Sequence, residues 1–330
     1  NRPMSKLTMV EALNLAMTQE MERDENVCLM GEDIGVNGGV FRTTKDLQKT
    51  HGETRVMDTP LAECGIVGTA VGMAIYGVRP VVEIQFSGFT MQAFDQIEQN
   101  MARLRNRTRG KYTVSMVLRT PYGGGIRAVE HHSESREAYW AHTPGLKVVI
   151  PSGPRNARAL LAASIRDDDP IIFYEPKAVY RAFREEVPDE PETMEIGKAE
   201  VVRKGKDLTL ISYGAMMRPC REAVSDLADD HGIDVELIDL LTISPMDTET
   251  LAASVQKTGR CVIVNEGQRT CGVAAEIMAR LNEVAFEYLE APIKRITGFD
   301  VLFPYFQVEE HFLPESEEIV VSIKETLDWQ

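Results

Sequence analysis

The sequence predicts an α/β protein of two domains, the second smaller than the first. Three observations carry this. Apolar, strand-like runs alternate with helical patterns along the whole chain. At 330 residues the chain exceeds the usual size of a single core. At residues 184–197, "REEVPDEPETMEIG" has two prolines, six acids and no apolar period, after which the alternation resumes on a shorter scale. The expected division is 1–183, an acidic linker at 184–197, and 198–330.

Thr8 and Glu11 spell a T-x-x-E capping box, and Val10, Leu13, Met17 and Met21 follow at helical spacing, so a helix is predicted over 8–24. A strand at 26–31 leads into the glycine-rich "GEDIGVNGGVF" (31–41). In "DTPLAECGI" (58–66) a strand ends and a Thr-Pro step starts a helix. With Thr59 as N-cap and Pro60 in the first helical position, Glu63 becomes the fourth helical residue, and Gly77 closes the helix. Strands are predicted at 79–86, 112–120, 146–151 and 170–176, with helices at 91–106 and 155–167. The second half reads as strands at 207–214, 233–240, 260–267 and 292–298, with helices at 216–230, 247–256 and 272–287.

Composition is that of an ordinary globular chain, 43% hydrophobic and 26% charged, which leaves no case for disorder. No apolar run approaches a membrane span and no signal-peptide pattern opens the sequence. The five cysteines form no CxxC pair. Reduced thiols are expected, in a cytoplasmic protein or, for a eukaryote, one of the mitochondrial matrix. The net charge of −15 argues against nucleic acid as a partner. Residues 1–183 hold 22 basic and 21 acidic side chains, whereas 184–330 hold 14 and 30, so all the excess acidity lies in the second half. It reads either as a solubilising surface or as a docking face for a basic partner.

Four stretches bear on chemistry. Glu63 opens a helix in which everything after it is small or apolar. It is either a first-turn acid favoured by the helix dipole or a carboxylate in an apolar pocket that exchanges a proton with a bound heterocycle. "FSGFT" (86–90) presents Phe86 and Phe89 at a strand end. "RTPYGGGIRAVEHHSES" (119–135) places three glycines and the pair His131-His132 in a long loop. The spacing fails for a metal site, so a loop histidine acting as acid, base or oxyanion donor is the functional reading. "IRDDDP" (165–170) is a helix end followed by three acids, which is either a cation site or a polar turn. Dinucleotide, P-loop, nucleophile-elbow and pyrophosphate–magnesium motifs are all missing, so the chain is expected to complete its site with another.

Together these motifs resemble the beta subunits of the thiamine-diphosphate-dependent first component of 2-oxo acid dehydrogenase complexes. The resemblance runs over the whole chain, through "GEDIGVNGGVFRTT", "DTPLAECGI", "RPVVEIQFSGF", "FDQI", "RTPYGGGIR", "HHSES", "HTPGLKVVIPS", "IRDDDPIIFYEPK", "GKDLTLISYGAM" and "ITGFD". It implies a transketolase-like pyrimidine-binding domain followed by a transketolase C-terminal domain. It implies that Glu63 hydrogen-bonds the aminopyrimidine of thiamine diphosphate, that Phe89 stacks on that ring, and that His132 serves acyl transfer to lipoamide. Glu32 and Asp95 fall at matching acidic positions near the cofactor. Magnesium would be held by an alpha subunit in an alpha2beta2 assembly. Potassium would be held by the carbonyls of Met116, Ser164, Ile165, Asp167 and Asp169. The acidic second half would meet the subunit-binding domain of the acyltransferase, whose lipoyl domain takes the acyl group. The implied substrate is pyruvate, with branched-chain 2-oxo acids, an acetoin-cleaving or transketolase-like activity, or a non-catalytic scaffold as alternatives.

Overall fold

The computed structural model describes residues 3–329. The chain divides into two compact units. The first comprises the residues up to Tyr122 together with Tyr139–Ile196, and the second Gly123–Ala138 together with the residues from Gly197 on. The loop bearing His131 and His132 therefore packs with the second unit, although it lies within the first domain in sequence.

The first unit runs β1 (Met4–Leu7), α1 (Met9–Arg23), β2 (Val27–Gly31), α2 (Leu47–His51), β3 (Val56–Asp58), α3 (Glu63–Ile75), β4 (Arg79–Glu83), α4 (Leu104–Arg107) and β5 (Val117–Tyr122). After the loop and α5 (Glu137–Ala141) come β6 (Lys147–Val149), α6 (Pro154–Arg166), β7 (Ile171–Pro176) and β8 (Glu185–Pro188). The large sheet has the order β6-β7-β5-β4-β2-β3, and every one of these neighbours is parallel. Strands β2 and β7 are buried on both faces, which is why 27–30 and 171–174 read as unbroken apolar runs without alternation. Thr8 caps α1 as the capping box predicts: its backbone N–H donates to Glu11 Oε2 at 2.7 Å and its Oγ1 accepts from Glu11 N–H at 3.4 Å.

Part of the expected linker is strand. Glu185–Pro188 pairs antiparallel with Met4–Leu7, with Val187 buried beneath two exposed glutamates. Two exposed glutamates followed by the buried Val187 and Pro188 leave no alternation to detect. The helix expected over 91–106 is broken into a 3-10 helix at Ser87–Ala93, a π-helical stretch at Gln96–Met101 and α4. Thr90 Oγ1 donates to the Ser87 carbonyl at 2.6 Å and tightens the first piece. Ala102 N–H reaches back five residues to Ile97 at 3.0 Å and widens the second.

The second unit contains β9 (Glu200–Arg203), β10 (Leu208–Ser212), α7 (Met217–His231), β11 (Val235–Asp239), β12 (Thr242–Ser244), α8 (Thr248–Thr258), β13 (Cys261–Gln268), α9 (Val273–Ala285), β14 (Lys294–Gly298) and α10 (Ser316–Leu327). Strands β14, β13, β10 and β11 are parallel in that order, with β9 antiparallel at the edge. The four predicted strands and three predicted helices all form; β9, β12 and α10 were not anticipated. All five cysteines are free thiols, with Cys64 and Cys271 exposed. Among the described residues no helix is long and apolar enough to cross a membrane.

Candidate active site

In an open parallel sheet, ligands bind beyond the carboxyl ends of the strands. Three adjacent strands bring the first-unit candidates to that edge. Gly31 ends β2 in register with Asp58 of β3 and Glu83 of β4. The next residues of these strands lead to Glu32, to Glu63 and to the Phe86–Phe89 turn.

Glu63 is the first residue of α3, not the fourth, and Ala62 is the N-cap. The reason lies in β3: Thr59 N–H donates to the Gly31 carbonyl at 3.0 Å, so the chain is still extended where Thr59-Pro60 suggested a helix start. Glu63 is 9% exposed, at the positive end of an apolar helix. Glu32 is also buried. Its carboxyl is raised above the ordinary 4.5, first by burial and then by the negative charges of Glu63, Asp33 and Glu83. Glu32 and Glu63 thus stand close enough to feel each other. Asp95 is exposed, at the start of the π-helical stretch, and is not among the charges that raise Glu32. Its neighbour Gln96 faces α3 where Gly68 leaves room: a Cβ there would lie 3.2 Å from Gln96 Oε1.

Phe86 and Phe89 are both half-buried and meet edge to face, with ring centroids 5.9 Å apart. Phe86 also meets Phe41 at 5.7 Å and lies under Lys177 Nζ at 5.6 Å, a buried cation over its ring. Phe86 is locked into that cluster, and Phe89 forms its outer member.

Beneath lies a buried charged group that sequence reading missed. Arg119 donates to Glu175 and, through Nη1, to Glu83 Oε2 at 2.9 Å. Thr43 Oγ1, just beyond the glycine-rich segment, donates to the same Glu83 oxygen at 3.1 Å. A Cβ on Gly39 would lie 3.2 Å from Glu83 Oε1, so the glycines of 31–41 let backbone pass closely over this group. Charged residues inside otherwise apolar strands, Arg119 in "VLRT" and Glu175 in "FYEP", were the available signal.

His131 and His132 lie in a short 3-10 turn at Glu130–His132. His131 Nδ1 lies 3.2 Å from Glu134 Oε2, and Glu134 also binds Arg136. His132 N–H donates to the Val129 carbonyl at 3.0 Å.

Four of the five carbonyls considered for potassium, those of Met116, Ser164, Ile165 and Asp167, accept hydrogen bonds within the chain. Arg79 Nη1 donates to the carbonyls of Ile165 at 3.1 Å and Asp167 at 2.9 Å, and its Nη2 donates to Asp168 Oδ1 at 2.7 Å. The Met116 carbonyl accepts from Ile171 N–H at 3.0 Å, and that of Ser164 from Asp167 N–H at 3.3 Å. Lys147 Nζ binds the Asp167 carboxylate at 2.7 Å. Arg79 supplies positive charge at this helix end, beside the carbonyls that the resemblance assigns to potassium. Among the described residues no group of three or more His, Cys, Asp or Glu could hold a metal ion.

Comparison with known proteins agrees with this architecture. Residues 5–182 match the transketolase pyrimidine-binding domain and residues 197–319 the transketolase C-terminal domain. A solved chain described as a split-gene transketolase, an inactive beta4 tetramer, has the same fold, with a TM-score of 0.78 at 20% identity over 98% of this chain and 99% of that one. The class is therefore a two-domain transketolase-type chain. The chain is 50% identical over 326 residues to the pyruvate dehydrogenase E1 component subunit beta of Staphylococcus epidermidis, covering 99% of this chain and 100% of the relative. It is 50% identical over 321 residues to the protein of the same name from Acholeplasma laidlawii, covering 97% and 98%. It belongs to the family of pyruvate dehydrogenase E1 component beta subunits.

Proposed function

We propose that this chain, with an alpha subunit, decarboxylates pyruvate on thiamine diphosphate and passes the acetyl group to the lipoamide of an acyltransferase. The observation that carries this reading is the pair of buried acids Glu32 and Glu63 at the carboxyl edge of the first unit, the carboxyl of Glu32 raised by burial and by the charge of Glu63. A heterocycle with a ring nitrogen suits such a pair.

When bound, thiamine diphosphate supplies the carbon nucleophile and the electron sink for decarboxylation. Glu63 shares a proton with the aminopyrimidine nitrogen from a buried helix start, where little water competes for that proton. Glu32, whose carboxyl is raised by burial and by the charge of Glu63, is the group from which Glu63 would regain its proton. Asp95 is the more exposed and weaker candidate for that relay. Phe89 offers a ring face that fixes the pyrimidine plane, supported at its edge by Phe86. His132 donates a hydrogen bond or proton during acyl transfer. Magnesium belongs to the alpha subunit in this reading, and a potassium ion would share the carbonyls of Ile165 and Asp167 with Arg79.

The test is Glu63→Gln in the assembled alpha–beta protein with thiamine diphosphate and magnesium, following decarboxylation of pyruvate and of 3-methyl-2-oxobutanoate with an artificial electron acceptor. Lost turnover with the cofactor still bound, and a wild-type preference for pyruvate, is the expected result. Unchanged turnover would return Glu63 to an ordinary helix-start acid. A preference for the branched substrate would reassign the pocket.

A further inference from the structure

Two carboxylates of the second unit hold the backbone of the triple-glycine run. Gly124 N–H donates to Glu266 Oε2 at 2.9 Å, and Gly125 N–H donates to Glu309 Oε1. Both acids are almost fully buried, at 3% and 2% exposure, and they come from separate elements, β13 and the 3-10 turn Glu309–His311. The glycines are what permit the contact. Gly123 has φ +83°, and a Cβ there would lie 2.5 Å from Glu266 Oε1; a Cβ on Gly124 would lie 2.4 Å from Phe303 Cζ. Backbone amides reach a carboxylate this closely only where no side chain intervenes.

The rest of the loop is tied back upon itself. Gly123 N–H donates to the Glu134 carbonyl at 3.2 Å, which closes the base. Arg127 Nη2 lies 3.0 Å from Glu310 Oε1 on the exposed side. Between these ties stand Val129 and the turn that presents His132. Each of these acids accepts a backbone amide hydrogen bond from a buried position, so Glu266 and Glu309 fix the start of the loop.

We propose that Glu266 and Glu309 are positioning residues that fix the loop so that His132 is presented in one place. This rests on the reading of His132 as the residue that serves acyl transfer. Neither acid need touch the reacting atoms: each acts through the amide it holds. Two anchors on successive residues set both the position and the rotation of the loop backbone within the second unit, which a single anchor would leave free to pivot.

The experiment uses the assembled alpha–beta protein with Glu266→Ala, Glu309→Ala and Glu266→Gln. Hydrogen exchange of the loop peptide covering 123–132 reads the anchoring, and separate assays read decarboxylation with an artificial acceptor and acetyl transfer to a lipoyl domain. Each alanine variant is expected to speed exchange of the loop by about tenfold and to slow acetyl transfer by a similar factor, with decarboxylation changed less than about twofold. Glu266→Gln, which keeps an acceptor oxygen, is expected to restore both to within about threefold. In a His132→Asn background, Glu266→Ala is expected to cost no further transfer. If Glu266→Ala does not fold, Glu309→Ala carries the same comparison. Unchanged exchange in the alanine variants overturns the anchoring. Equal losses in both half-reactions, or a full additional loss in the His132→Asn background, overturn the positioning role. Faster exchange with His132→Asn itself fully active overturns the reading of His132 instead.

Discussion

Arg119 and Glu175 meet as a buried bidentate pair. Nε donates to Oε1 at 2.7 Å and Nη2 to Oε2 at 3.1 Å, with both side chains almost wholly out of water. Glu83 takes a third donor of the same guanidinium, so one cation serves two carboxylates, and Tyr180 Oη adds a hydrogen bond to Glu175. Burial still pushes the Glu175 carboxyl up, against the pull of Arg119 and the Tyr180 hydroxyl. Removing the cation would leave two acids facing each other in the core. Arg119→Met is expected to cost about 3–5 kcal/mol, read as a fall in melting temperature on the order of 10 °C. A loss of under a degree would mean that the acids are protonated and indifferent to the guanidinium.

Glu137 should make stability depend on pH. It is fully buried, Tyr213 Oη donates to its Oε1 at 2.9 Å, and burial holds its carboxyl above the ordinary 4.5. The folded chain therefore binds this proton more tightly than the unfolded chain. Its contribution falls as pH rises from about 4.5 through the folded value, and recovers below that window. Glu137→Gln keeps an acceptor for Tyr213 but does not titrate. Urea midpoints should show the variant ahead of the parent at about pH 8, with the gap closing toward pH 4.5.

Two glycines with similar backbone should respond differently to alanine. Gly145 has φ +99°, and a Cβ there would lie 2.1 Å from the Ala102 carbonyl oxygen; Gly110 has φ +76° with nothing within 4 Å. Gly110→Ala meets only the left-handed strain of about 1–2 kcal/mol. Gly145→Ala adds a collision with backbone that cannot rotate away, and is expected to cost about 3 kcal/mol or more. Comparable melting temperatures for the two variants would contradict the packing at Gly145.

The acidity of the second half predicts a salt-sensitive association with a basic subunit-binding domain. Raising ionic strength from about 0.05 to 0.3 M shortens the screening length from about 14 to 6 Å, so the association rate should fall by about tenfold. The dissociation rate should change less. A salt-independent association rate would assign the 30 acids of residues 184–330 to solubility alone.

What could be read ahead of the structure was local. The Thr8–Glu11 box stands where its spacing put it, because a cap is decided within one turn. The start of α3 was misplaced because Thr59-Pro60 is a good local signal, overruled by a hydrogen bond to Gly31 from elsewhere in the chain. The anchors of the glycine loop lay beyond reach for the same reason. Glu266 is 142 residues from Gly124, and Glu309 is 184 from Gly125. Arg79, which serves the helix end at Ile165 and Asp167, is separated from them by 86 and 88 residues. Periodicity finds elements and motifs find site residues; the partners that hold those residues in place are chosen by topology.

The pairing of Met4–Leu7 with Glu185–Pro188 has a consequence for how such a gene can be rearranged. The strand near the start of the first unit and the strand at its end lie side by side, about 5 Å apart across one ladder. Entry and exit are therefore neighbours, but the chain also leaves the unit between Tyr122 and Tyr139, so any fusion or exchange of this unit has to carry residues 123–138 with it.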